Sequence, residues 1–231
     1  ITADARAAFG ADLVSVVVYG SAAGDDFVAG RSDVNVAIVL DTITFAHLQA
    51  LAGHLPAWRK LGAAAPLFVD RDFLDRARDV FPMEILDIRA RHRVLHGEDP
   101  FATAEVDFAH LRYELEQEAR AKLLRLRVLF AEAGGRKAPV RELMLDSVKT
   151  FTVLMRALLR FCGDAAPPAP GAVLGRHETE MDGALPDVRE VLQVAAGGAW
   201  ARDAGETFAD YLADIERLVD VIDGAVQASP D

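Results

Sequence analysis

The chain has 231 residues, enough for one large domain or two small ones, and its 26% charged and 52% hydrophobic side chains are ordinary globular usage. No apolar run approaches the ~20 residues that span a bilayer, no basic stretch followed by an apolar one marks a leader near Ile1, and the lone Cys162 can close no intrachain disulfide; the expectation is a cytoplasmic protein with no membrane partner. A formal net charge of −11 speaks against a nucleic-acid polymer as partner and for a small ligand.

In chain order, residues 13–19 and 34–40 are β-branched apolar runs that read as two buried strands lying side by side. Thr44 can cap a helix reaching about Leu61, which Pro56 should bend or shorten. Residues 66–70 read as a third strand and 70–78 as a short helix, while 81–96 fit a helix or a strand equally well. After Gly97-Glu98-Asp99-Pro100 the texture changes to long helical patterns, so the expected boundary separates a domain at 1–100 from one at 101–231. Helices are expected at about 108–132, 140–161, 186–194 and 202–227, with 163–175 a proline-bearing connector. The fold class is therefore α+β, a sheet with flanking helices followed by an all-α bundle.

The residues that suggest chemistry lie between the first two strands. Tyr19-Gly20-Ser21 ends the first, and Ser32-Asp33-Val34-Asn35 opens the second. A glycine allows close backbone approach to an anion, and a serine hydroxyl with neighbouring amides can hydrogen-bond phosphate oxygens. Residues two apart on a strand share a face, so Asp33 and Asn35 project together.

These residues resemble the minimal nucleotidyltransferases of the polymerase-beta type, similar to kanamycin nucleotidyltransferase and the aminoglycoside adenylyltransferases, which join such a sheet to a C-terminal helical bundle. The resemblance implies that Gly20, Ser21 and Ser32 bind a nucleoside triphosphate, with ATP the first candidate, and that Asp33 and the residue at Asn35 hold Mg²⁺. It also implies a third carboxylate on a later strand, for which Asp70 and Glu84 are the candidates; separately, Lys149 on the second bundle helix is the candidate for a cation reaching the triphosphate, against the reading of a surface lysine. Asn35 departs from the pattern: an amide keeps an oxygen but loses the charge that a hard cation favours. The reading is transfer of a nucleoside monophosphate to a hydroxyl of a small molecule or protein, impaired or absent because of Asn35. The alternative is a non-catalytic nucleotide-binding or regulatory module, a pseudoenzyme of antitoxin-like character.

The bundle resembles the HEPN-type domains that accompany minimal nucleotidyltransferases, and a homodimer through it is an option. The Arg-x4-His spacing of such toxins occurs only from Arg91 to His96, before the bundle, and is set aside as chance. The basic run from Arg112 to Lys149 reads as a solvated helical face, and of the six scattered histidines only His92 and His96 are spaced for a shared metal, on an element of doubtful type.

Overall fold

A computed structural model describes residues 1–24, 27, 33–164, 167, 169–181 and 183–225. The chain divides into two compact units, Ile1–His110 and Leu111–Asp231.

In the first unit the apolar runs form strands β1 (Leu13–Tyr19), β2 (Asn35–Leu40), β3 (Leu67–Asp70) and β4 (His92–Gly97), ordered β3-β2-β1-β4. β1 runs antiparallel to both β2 and β4, whereas β2 and β3 are parallel, so the sheet is mixed. Side-chain alternation sends Val16, Val36, Ile38 and Leu40 to one face. There they bury Ala5 and Phe9 of α1 (Thr2–Phe9) and Trp58 of α2 (Phe45–Lys60). Val17 and Ala37 face the other way, onto Ile88 of α4 (Pro82–Ala90) and onto Phe101. Phe101, only 1% exposed, keeps the chain beyond Pro100 with the sheet.

The segment 81–96 is both of the alternatives its pattern allowed. Pro82 opens α4 at a position where its missing N–H costs nothing, the helix ends at Ala90, and β4 follows with alternating burial. α2 begins at a capping box between Thr44 and His47 and runs through Pro56 to Lys60 without stopping. Between β3 and α4 lies α3 (Arg71–Arg76), capped by Asp70.

The second unit is helical, built from α5 (Phe108–Ala133), which starts just before the division, α6 (Lys137–Phe161), α7 (Pro170–Glu180), α8 (Pro186–Ala195) and α9 (Ala204–Gly224). Val140, Met144, Val148, Phe151, Met155 and Leu158 recur three or four residues apart on α6 and are buried. Phe130 stacks on Phe208 at 4.1 Å, and Ser147 shares a 2.9 Å hydrogen bond with the buried Tyr211 hydroxyl. α7 corrects the expectation of a connector over 163–175: Pro170 sits in its first turn and starts the helix, and Val173, Leu174 and His177 bury its inner face. The basic run is a solvated face, with Arg120 paired to Glu116 and Asp223, Lys122 to Glu118, and Arg127 to Glu216. No helix among the described residues is long and apolar enough to cross a membrane.

Candidate functional site

Three chain segments meet at one edge of the sheet. β1 ends at Tyr19, whose partners are Asn35 at the start of β2 and His92 at the start of β4. The chain then turns through a single 3-10 turn, Gly20–Ala23. Gly20 has φ of 71°, a left-handed conformation that side chains disfavour, and a Cβ built on it would lie 3.2 Å from Asn35 Nδ2. The left-handed backbone favours glycine here, and a side chain would in addition have to push the Asn35 amide back by a few tenths of an ångström. Its N–H donates to the Arg91 carbonyl at 3.0 Å, which ties the turn to the start of β4.

Arg91 also covers the far end of the turn. A methyl group on Gly24 would collide with its guanidinium, reaching Cζ at 2.9 Å and a terminal nitrogen closer still. His92 anchors the strand from which Arg91 extends: its Nε2 is 2.8 Å from Asp99 Oδ2 and its Nδ1 is 3.2 Å from the Arg89 carbonyl. Sequence reasoning passed over Arg91 except as one end of a chance spacing. The only signal that could have found it is its place one residue before a strand, and that strand is visible only once its pairing with β1 is known.

Asn35 and Asp33 stand at this same edge. Asp33 is exposed and immediately precedes Val34, which bridges to Ala63. Ser21 lies on the turn, half-buried, and Ser32 falls outside the described residues. Glu84, exposed on α4, is close enough to Tyr19 to affect its phenol: burial first, then the Glu84 charge, pushes the Tyr19 pKa above its ordinary value.

Asp70 does not join them, which corrects its candidacy as the third carboxylate. Because β3 is parallel to β2, Asp70 pairs with Leu40, at the opposite end of the strand from Asn35. Five residues of strand separate the two ends by about 17 Å. The Asp70 carboxylate is occupied there, accepting from Phe73 N at 2.9 Å as the cap of α3 and from Ile43 N at 3.3 Å. The stretch of β3's chain that does reach the site edge is Ala63-Ala64-Ala65-Pro66, which carries no acid. His92 and His96 lie on β4 rather than on a helix, about 13 Å apart along the strand, too far to share an ion. Lys149 belongs to the second unit, 72% exposed in an ion pair with Asp146 at 3.2 Å.

Among the described residues the donor set does not suit a hard divalent cation. Magnesium favours charged oxygen ligands in octahedral array. Among the described residues the edge offers the Asp33 carboxylate and, near Tyr19, that of Glu84, with the Asn35 amide near Gly20 and the Arg91 guanidinium near Gly24. No group of three or more His, Cys, Asp and Glu side chains among the described residues is arranged to hold a metal ion.

The sequence matches no protein-family description and no curated protein. In three dimensions the chain is similar to the spectinomycin adenyltransferase AAD(9) of Enterococcus faecialis, solved with ATP and spectinomycin. The two share 10% sequence identity with a TM-score of 0.60, and the match covers 96% of each chain. The nucleotidyltransferase fold is therefore shared by the sheet and the helices together, and at that identity the likeness concerns fold.

Proposed function

We propose that this protein binds a nucleoside triphosphate, ATP foremost, at the edge formed by the Gly20–Ala23 turn and the start of β2, and that it transfers little or no nucleoside monophosphate. The observation that carries the reading is the left-handed glycine turn at the Asn35 end of the sheet, where a Cβ built on Gly20 would lie 3.2 Å from Asn35 Nδ2, in a fold whose neighbour was solved with ATP. Nucleotidyl transfer requires a hydroxyl to attack the α-phosphorus while the bond to the β-phosphate breaks and pyrophosphate leaves. Its developing charge is met in two-metal sites by ions that clamp the attacking and leaving oxygens. Here Asn35 removes one charge, and the end of β3's chain that reaches this edge, residues 63–66, supplies no acid to replace it. A loss of about 3 kcal/mol of transition-state stabilisation lowers a rate roughly a hundredfold. Asp33 and Glu84 are the carboxylates left to assist whatever turnover persists.

A residual transferase would use a small hydroxylic acceptor, because the structural likeness extends through the helical half and the neighbour was solved with spectinomycin. Calorimetry with ATP, together with a pyrophosphate-release assay over a panel of aminocyclitols and sugars, separates the two readings. The expected outcome is saturable ATP binding without pyrophosphate release by the wild type, and measurable release by Asn35→Asp. Rapid turnover by the wild type would refute the non-catalytic reading, and absence of any ATP binding would refute the whole proposal.

A further inference from the structure

We infer that the outer face of α2 is an interface at which two copies of this chain pair, helix against antiparallel helix, through the sheet-bearing unit. From Thr42 to Trp58 the sequence has no Asp, Glu, Lys or Arg, although α2 lies on the surface. Phe45, Gln49, Ala52, Gly53 and Pro56 recur at helical spacing and are all exposed, Phe45 to 74% and the flanking Leu48 to 46%. A surface helix ordinarily turns charged residues outward, as α5 does with Arg120, Lys122 and Arg127. The face of α2 also gives up helix stability. Gly53 is a poor helix former, yet among the described residues a Cβ built on it would meet nothing within 4 Å, and Pro56 has no N–H for the Ala52 carbonyl one turn back. A small residue that its own fold does not require is what a second helix backbone needs for close approach.

The occupant is a second copy because the face is complementary to itself. Its N-terminal half is bulky, with Phe45, Leu48 and Gln49, and its C-terminal half is flat, with Ala52, Gly53, Pro56 and Ala57. A two-fold axis at the level of residues 50–51 sets Phe45 against the partner's Pro56, Leu48 against the partner's Gly53 and Gln49 against the partner's Ala52, so that bulk meets flat surface throughout. A parallel pairing would set Phe45 against Phe45. The same axis carries Arg59 and Lys60, in the last turn of α2, to the partner's N-terminal end, where Asp41 is 69% exposed. Asp41 also reaches Arg71 at 3.3 Å within its own chain, so the cross-pair orients the helices more than it binds them. At a net charge of −11 two copies repel over most of their surface, and this uncharged face is where they can meet. Two faces of a 16-residue helix bury roughly 1,000 Å² in total, the low end for a specific complex, so the dimer is a weak one.

The test is sedimentation equilibrium of the full chain over a range of concentrations, on the wild type, Phe45→Glu, Gly53→Ala, Lys60→Glu and a double variant that joins Asp41→Lys to Lys60→Glu. Circular dichroism and the urea midpoint check that each variant is folded. The wild type should pass from monomer to dimer with a dissociation constant on the order of 10–100 μM, as suits a small interface. Phe45→Glu, which forces a charge into the contact, should weaken the dimer roughly tenfold or more. Gly53→Ala should hold or raise the urea midpoint while weakening the dimer, a split that a glycine needed only by its own chain would not give. Lys60→Glu should weaken the dimer about threefold, and the double variant, which reverses the pair across the two copies, should recover that loss. A wild type that stays monomeric well above that concentration range overturns the inference, as does a dimer that Phe45→Glu and Gly53→Ala leave unchanged. A double variant that recovers nothing overturns the antiparallel pairing.

Discussion

Gly20 joins backbone conformation to the proposed nucleotide site in one residue. Its φ of 71° strains any side chain placed there, and a Cβ would crowd Asn35 Nδ2 at 3.2 Å. Gly20→Ala should therefore lower stability by about 1–2 kcal/mol, the cost of a left-handed conformation for an L-residue, read as a reduced urea midpoint. It should also weaken ATP binding, because relief of the contact moves the turn. Asp70 makes the contrasting case. As the cap of α3 it should contribute about 1 kcal/mol, so Asp70→Ala should lower the urea midpoint and leave ATP affinity unchanged. A large loss of ATP affinity in Asp70→Ala would return it to the site and contradict the parallel register of β3.

At the scale of elements, the bundle depends on polar groups that its pattern of apolar residues does not announce. Asp214 is fully buried on α9, and one of its oxygens accepts from Asp187 N at 2.7 Å and Val188 N at 3.1 Å, capping α8 from another helix. Arg217 pairs with its other oxygen. Asp214→Ala strands two amides and should cost roughly 2–4 kcal/mol in chemical denaturation. His177 on α7 is buried, and neither ring nitrogen has a hydrogen-bond partner among the described residues. Burial drives its pKa below 6.5, with the nearby Glu178 charge opposing. The unfolded chain thus takes up a proton that the folded one resists: stability is complete above pH 6.5 and declines as the pH falls toward the folded value. His177→Leu should flatten that decline, and a slope indifferent to the substitution would exclude His177 as its source.

The same scale shows what could be read in the sequence. β1, β2 and the long helices α5 and α6 were legible because their apolar periodicity is local, sustained and matched to burial. α1 was invisible because eight residues hold barely two turns of pattern, and α7 because the prolines before it resemble a linker. Periodicity also shows a strand without its direction. β3 was foreseen, yet its parallel pairing with β2 carries Asp70 away from the site. Arg91 depends on a contact between segments far apart in sequence, β1 and β4, which no local pattern encodes.

For the whole molecule, nucleotide binding is proposed for the sheet-bearing unit, and the chain carries a natural probe for it. Its two tryptophans fall one in each unit: Trp58 buried beneath the sheet and Trp200 beside Arg141, whose guanidinium lies 5.1 Å from the ring centroid. In a Trp200→Phe protein the fluorescence reports the sheet-bearing unit through Trp58, itself held by a 2.8 Å hydrogen bond from its indole N–H to Asp4. Ligand that binds only the folded state at ~100 times its dissociation constant stabilises by ~2.7 kcal/mol. The most direct measurement is urea unfolding of this variant, followed at Trp58, with and without saturating ATP. The account predicts a stabilisation of about that size, and an unfolding curve that ATP leaves unmoved would contradict it.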